Sequence, residues 1–594
     1  MTESHRSVCF AALTALALSA GPGLGAEARL FAPGAPDDVR AALTASALSL
    51  EMARDPDRTA QDILAAARAD YARLIGALYA QGYYAPEIAI RIDGREVADI
   101  SPLSTPDRIG RVRIDIRTGP VFGFSQARVA PLAPDTSLPA GFAPGSPARS
   151  TLIRDAAQAG VAGWRSAGHA KARVAGQGIT ADHKTATLSA RLDLVPGPPV
   201  TFGDLVISRP SAVRPERLRA IAGLPTGARF DIEALERSAE RLRRTGAFRS
   251  VSLTEAEGLG SGNTLDIGLA VVDEKKRRFG LGAELYSLAG VTLSGYWLHR
   301  NLLGGAERLR FDAEIAGIGG SDSGGVDYSL SARIDRPAVI DPDTGAFALA
   351  AVERLDEPDS REETGRFGLG LSHVFSDRLS GEVALLFSYS DVSDDVGDRE
   401  MSHLKLPISL TWDDRDDTLN PRGGTYLDLG LTPLVAIEGD AESGMQAKAD
   451  ARIYHALGER LVLAGRFQIG SVLGASADGV PPAMLFYSGG GGTVRGQPYE
   501  SLSVELPGGD RIGGRSFLGL SAEARFDVTD AIGVVAFADA GFIGPDSWLG
   551  DGEWHSGAGL GLRYDTGIGP IRLDVAAPAS GETGDGIQVY IGIG

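Results

Sequence analysis

From Arg277 to the end of the chain, apolar and polar residues alternate with a period of two. In Glu307–Ile315, Leu309, Phe311, Ala313 and Ile315 share one face and Arg308, Arg310, Asp312 and Glu314 the other. In Gln446–Ile453, Ala447, Ala449, Ala451 and Ile453 oppose Lys448, Asp450 and Arg452. In Leu520–Asp527, Leu520, Ala522, Ala524 and Phe526 oppose Ser521, Glu523, Arg525 and Asp527, and Ile571, Leu573 and Val575 oppose Arg572 and Asp574. Successive strand side chains point to opposite faces, so each segment predicts a two-faced strand. Sixteen such candidates can be marked, most of them roughly 9–14 residues long. Soluble strands average about 5–6 residues, and a tilted membrane strand needs about 9–11.

Before Arg277 the pattern is mixed. Ala60 to Gln81 has helical spacing, with Ile63, Ala67, Tyr71, Leu74 and Leu78 on one face, and stops at Gly82. Glu87–Ile92 then alternates as a strand. The same order recurs twice. Leu152 to Ala167 is helix-like, ends at Gly168 and is followed by Lys171–Val174; Ile232 to Thr245 ends at Gly246 and is followed by Val251–Leu253. The three glycines are 86 and 78 residues apart. Thr118-Gly-Pro-Val-Phe-Gly123 and Pro196-Gly-Pro-Pro-Val-Thr-Phe-Gly203 form a second repeated marker. A period of about 80 residues fits a small α+β module with its own core. The predicted organisation is three βααββ modules, 29–120, 121–200 and 201–275, ahead of an all-β region 276–594. Exposed edges of such modules suit the addition of a partner strand.

Alternation alone does not separate a soluble sandwich from a membrane barrel. The number and length of the strands, and an apolar face light in bulk and rich in Ala and Gly, favour a sixteen-stranded antiparallel transmembrane barrel. In lipid every backbone group must be paired, so the sheet must close. Closure brings a first strand around Phe279, Leu281 and Ala283 against a last strand holding Tyr590 and Gly592. That last strand is short and glycine-weakened, which makes this lateral seam the weakest joint of the wall. The longest break in the strand pattern is residues 475–512, with Ser488-Gly-Gly-Gly-Gly-Thr-Val-Arg-Gly-Gln-Pro-Tyr499 at its centre. The glycine run lacks the Lys-Ser/Thr ending and following helix of a phosphate loop.

Composition narrows the function classes. A net charge of −19 argues against a nucleic-acid partner. No apolar run after the N-terminus is long enough for a transmembrane helix. Val8 to Ala20 is a short apolar run behind His5 and Arg6, and Ala26-Glu27-Ala28 fits a cleavage pattern, so residues 1–28 read as a secretory signal peptide. Cys9, the one cysteine, would leave with it. With 8 His and no nucleophile motif, no catalytic residue, cofactor or metal is expected. Asp413, Asp414, Asp416 and Asp417 offer cation ligands or, alternatively, an ordinary solvated turn.

Three motifs carry a family resemblance: Val494-Arg495-Gly496 in the long loop, Phe537-x-Asp539-x-Gly541 on a later strand, and a turn running Trp412-Asp413-Asp-Arg415-Asp416 to Asn420-Pro421-Arg-Gly423-Gly. Together with three modules before sixteen strands, the chain resembles the BamA/TamA superfamily of outer-membrane assembly factors over essentially its whole length after the signal. Gln497 departs from the aromatic usual after Val-Arg-Gly, with Tyr499 two residues on. The resemblance implies that the repeats are periplasmic POTRA domains and the Asp413–Gly423 motif a periplasmic turn. It also implies that Arg495 reaches into the lumen to meet Asp539, rather than being a solvated loop arginine. An Arg–carboxylate pair is bidentate and rigid enough to pin a loop tip. The implied activity is insertion of outer-membrane β-barrel proteins, autotransporters especially, with a TamB-like inner-membrane-anchored partner and the outer-membrane bilayer as setting. A phospholipid conduit and a two-partner secretion pore are the alternatives.

Overall fold

The computed structural model describes residues 26–594 except 56, 102–107, 287–289, 321–324, 358–359, 395, 508, 510, 567–568, 582–585 and 594. The expected signal peptide, with Cys9, falls outside the described residues apart from its last three, as does Gly594. Glu27 and Ala28 already belong to the first strand, Glu27–Phe31. The chain divides into two compact units: one holds the first two modules, the other most of the third module with the barrel.

In the first module, Glu27–Phe31 runs parallel to Arg111–Arg117, which pairs antiparallel with Glu87–Ile92. Helices Asp37–Ser46, Leu48–Arg54 and Ala60–Ala80 supply Leu43, Leu50, Leu74 and Leu78 to a core completed by Ile90 and Ile114. Thr59 and Asp62 form a capping box that starts the long helix. The fully buried Asp70 is explained by the preceding helix: its carboxylate accepts from Leu48 N and Ser49 N at 2.9 Å each, satisfying two orphan donors of Leu48–Arg54.

The second module has strands Gly123–Ala130, Arg173–Asp182 and Thr187–Val195 but a single described helix, Ser150–Ser166, where two were expected. The stretch in the place of the other helix holds Pro131, Pro134, Pro139, Pro144 and Pro147, and proline is not tolerated in a helix interior. The third module keeps both helices, Pro215–Ala222 and Ile232–Arg244, with sheet order Thr201–Ile207, Thr264–Asp273, Phe248–Glu255. Gly82, Gly168 and Gly246 all have positive φ, which glycine adopts without strain, and so terminate their helices in the same way. Gly82 O accepts from Phe122 N and Gly168 O from Val200 N, at 2.9 and 3.0 Å. These bonds tie each helix end to the start of the following module and explain the two repeated markers.

The barrel is one closed antiparallel sheet of sixteen strands. Strands 1 to 4 are Arg277–Tyr286, Gly290–Arg300, Arg308–Ile318 and Asp327–Arg336; strands 5 to 7 are Thr344–Glu357, Ser360–Val374 and Leu379–Asp394. Strand 8 is split into Gly397–Lys405 and Ile408–Asp413, because Pro407 has no N–H for the ladder. Strands 9 to 11 are Gly424–Gly439, Gly444–Leu457 and Leu461–Leu473. Strands 12 to 16 are Ser516–Asp527, Ile532–Gly544, Glu553–Thr566, Gly569–Ser580 and Gln588–Ile593. The apolar face points out, leaving Phe311, Ile453, Leu520 and Val575 exposed around the wall. The charged face points into the lumen, where Asp450 holds Arg452 and Arg466 at 2.8 and 2.7 Å. A soluble sandwich would bury those apolar side chains; the closed sheet leaves them for lipid.

The joint between strands 1 and 16 has the fewest described residue pairs of the wall. Strands 1 and 2 pair without a break from Arg277↔His299 to Tyr286↔Gly290. Among the described residues, strands 1 and 16 pair only at Leu285↔Ile591 and Tyr286↔Tyr590. Phe279 and Leu281 on the remaining length of strand 1 are 78% and 89% exposed.

Candidate functional site

The long loop lies between strands 11 and 12 and forms a packed body. Val480, Leu485, Phe486 and Leu502 join Val472 and Phe517 of the wall in one apolar cluster. Phe486 stacks on Phe517 with ring centroids 5.9 Å apart, in space left by Gly470, where a Cβ would lie 2.3 Å from the Phe486 ring. Gln446 Nε2 donates to Met484 O at 2.7 Å, and the buried Glu362 accepts from Ala483 N at 3.0 Å. The loop is thereby seated on strands 6 and 10 as well as on its own neighbours.

Arg495 stands at its tip with a largely buried side chain. Nε donates to Asp539 Oδ2 at 2.8 Å and Nη2 to Asp539 Oδ1 at 3.0 Å, the bidentate geometry that suits a carboxylate. Nη1 donates to Glu523 Oε1 at 2.8 Å and to Asp574 Oδ2 at 3.3 Å. Arg525 pairs with Glu523, and Arg563 with Asp574. Three guanidinium groups thus face three carboxylates. The Arg495 guanidinium carbon sits 3.6 Å from the centre of the Phe537 ring.

The strand motif follows from this packing. Phe537, Asp539 and Gly541 are spaced by two, so all face the lumen. Phe537 supplies the surface under the guanidinium and Asp539 its partner. Gly541 makes room: a Cβ there would lie 2.2 Å from Ser488 Oγ and 2.9 Å from Val494. Ser488 Oγ in turn shares a hydrogen with His555 Nε2 at 2.7 Å. Gly496 has φ +96°, and a Cβ on it would meet Ala577 O at 2.5 Å. The tip is pressed against the wall closely enough that these positions need glycine.

Three contacts escaped the sequence. Tyr590 Oη accepts from Gly496 N at 3.0 Å, joining the tip to the last strand. Gln497, completely buried, donates from Nε2 to Ser556 O at 2.7 Å and to Ser580 O at 3.0 Å, spanning strands 14 and 15. Tyr499 is 37% exposed and is not buried in that place. Glu523 and Asp574 were visible only as members of the polar face of their strands; nothing in the spacing tied them to Arg495.

The Asp413–Gly423 motif folds as a stapled turn. Asp413 accepts from Arg415 Nε and Nη2 at 2.8 and 2.7 Å. Asp414 accepts from Thr425 N and Oγ1 at 2.6 and 2.8 Å. Asp416 accepts from Arg422 N at 2.9 Å, and Asp417 from Leu419 N and Asn420 N at 2.7 and 2.8 Å. These backbone bonds hold the Asp414, Asp416 and Asp417 carboxyls below the usual range. Among the described residues no group of three His, Cys, Asp or Glu side chains is set to hold a metal ion. Pro421 is buried, and Gly424 (φ +100°) is the constrained glycine, whereas Gly423 has room for a side chain. Of the seam residues, Phe279, Leu281 and Ala283 face outward, and Gly592 has open space where a Cβ would be.

A closed wall, apolar outside and charged inside, with a loop packed into the lumen, defines a transmembrane β-barrel with an internal stopper. Residues 301–594 match the model of the Omp85 superfamily domain. Over 80% of its length the chain is similar in structure to the whole of a BamA from Haemophilus ducreyi lacking POTRA domains 1–3, with a TM-score of 0.62 at 16% identity. It is also similar to CdiB from Acinetobacter baumannii, with a TM-score of 0.50 at 14% identity over 80% of this chain and 90% of that one.

Proposed function

We propose that the protein is an assembly factor that inserts other β-barrel proteins, autotransporters especially, into the outer membrane. Within the BamA/TamA superfamily, three modules and this chain length are most like TamA. The modules then stand in the periplasm as POTRA domains, where a TamB-like inner-membrane-anchored protein meets them. The observation that carries the reading is the contrast along strand 1 among the described residues: unbroken pairing to strand 2 on one side, two residue pairs to strand 16 on the other. An unpaired strand edge is a template for another strand. Client strands would add there, and strand pairing with apolar burial would supply the free energy without chemistry. The Val494–Gly496 tip and the Phe537–Gly541 strand act as a lock that holds strands 12 to 16 as one body, so that movement concentrates at the seam. A short last strand also thins the bilayer beside it.

The test uses full-length protein in its native host, with Cys9→Ser and a single cysteine, Ala283→Cys. Cysteines are scanned through the last strand of an autotransporter barrel. Register-specific disulfide capture that disappears with Arg495→Ala supports the reading. Absence of capture, with clients assembling normally and phospholipid delivery impaired on deletion, would sink it in favour of a lipid conduit. The two-partner pore fits less well, because the packed loop fills the path an exported chain would take.

A further inference from the structure

We infer that the Asp413–Gly424 turn is a strap across the second mouth of the barrel, so that the lumen is a chamber stopped at both ends. The turn leaves the wall between strands 8 and 9. Its tip lies on the other side: Leu419 O accepts from Arg572 Nη2 of strand 15 at 3.4 Å. Its root is held part-way round, where Arg422 pairs with Asp527 at the end of strand 12 and donates to Glu459 O at 2.5 Å. Strands 8 and 15 are nearly diametric in a wall of sixteen, so a chain joining them crosses the opening.

A cavity of about 440 Å³ lies between the two stoppers. Thr418, Leu419 and Asn420 of the strap line one side, and Gly491, Thr493 and Arg495 of the loop tip line the other. The strap is stiff, because Asp414, Asp416 and Asp417 each staple its own backbone. Root and tip are held unequally. The root has an ion pair and a short bond to a carbonyl; the tip has one long bond to a carbonyl. The tip therefore releases first, and the strap swings about Arg422.

The seat of the tip is also exposed to movement of the seam. Arg572 lies directly opposite Gly592 of the last strand, and Glu284, Ile591 and Gly592 line the same cavity. Displacing strand 16 removes the support beside the seat. The strap is thus a barrier to ions and small solutes that yields when the seam moves, whichever cargo the seam serves.

Two stoppers in series make a specific electrical prediction. Single-channel current is measured in planar bilayers for the full chain, for Arg495→Ala, for Arg422→Ala/Arg572→Ala, and for the triple variant. The expected result is a closed full chain, less than a two-fold rise for either stopper alone, and at least a five-fold rise over either for the triple variant. Arg495→Ala alone reaching the current of the triple variant overturns the strap. A second reading guards against misfolding: Ser521→Cys, in a Cys9→Ser chain, places a thiol in the cavity wall. A charged, membrane-impermeant maleimide should label it slowly in the otherwise unaltered chain and at least five-fold faster with Arg422→Ala/Arg572→Ala. Equally fast labelling in both overturns the inference as well.

Discussion

Two stretches of the same wall are held in opposite ways. Strands 12 to 16 are bound twice, by their backbone ladders and by the loop tip, which touches Glu523, Asp539, Ser556, Asp574 and Tyr590 in turn. Strands 16 and 1 are joined, among the described residues, by two residue pairs. The loop tip reaches the last strand through Tyr590. If the barrel opens sideways as proposed, this difference places the opening between strand 16 and strand 1.

The comparison breaks most severely if the lock loses its cation. Arg495→Ala leaves Asp539, Glu523 and Asp574 without their shared partner in a buried site, and removing one member of a buried pair costs about 3–5 kcal/mol. Heat-modifiable migration of the barrel should shift to lower temperature, with the 475–512 loop opened to protease. Arg495→Lys should recover only part, because an ammonium cannot make the bidentate pair or lie flat on Phe537. Next comes Gly541→Ala. Its Cβ would collide with Ser488 and Val494, and overpacking costs roughly 1–3 kcal/mol. The matched change on the last strand, Gly592→Ala, meets open space and should leave thermal stability unchanged.

A smaller effect is expected at Gln497. Leucine there leaves the Ser556 and Ser580 carbonyls without their buried donor, at about 1–3 kcal/mol, read as the same melting shift. The smallest effect sharpens a different joint. Arg241 of the third module grips Asp343, in the turn between strands 4 and 5, at 3.0 and 2.6 Å, and Arg244 adds a bond at 2.7 Å. Hydrogen bonds from Arg241 first, opposed by burial and joined by Arg244, lower the Asp343 carboxyl below its ordinary value. A depressed carboxylate contributes stability above the unfolded-state pKa, and the contribution is lost as pH falls through the lower folded value. Hydrogen exchange across Ile232–Arg244, corrected for the intrinsic pH dependence of amide exchange, should therefore be unchanged from pH 7 to 5 and rise only below the usual aspartate range. Asp343→Asn should show the raised exchange already at pH 7.

Much of this was legible in the chain. Period-two alternation located the strands, and Gly82, Gly168 and Gly246 marked the repeats because only a residue free to take positive φ ends those helices. Arg495, Asp539, Phe537 and Gly541 stood out as a motif. What stayed hidden depends on closure. Glu523 and Asp574 read as ordinary lumenal acids until the wall brought strands 12 and 15 to one tip. Leu419 belongs to no motif of the sequence, and its contact with Arg572 spans 153 positions. Gln497 looked like a loss of the expected aromatic, yet it bridges two strand carbonyls that no local pattern places together. The proline-rich stretch after Ala130 should have warned that the second module lacks a helix.

The most direct measurement of the central claim closes the seam and asks whether assembly stops. Leu285 and Ile591 are directly opposed, and directly opposite strand residues come within disulfide range. Leu285→Cys/Ile591→Cys in a Cys9→Ser chain can therefore be tethered by oxidation and released by reduction. Client barrel assembly should fail while the tether is closed and recover when it is reduced. Unimpaired assembly with the disulfide fully formed would contradict the claim.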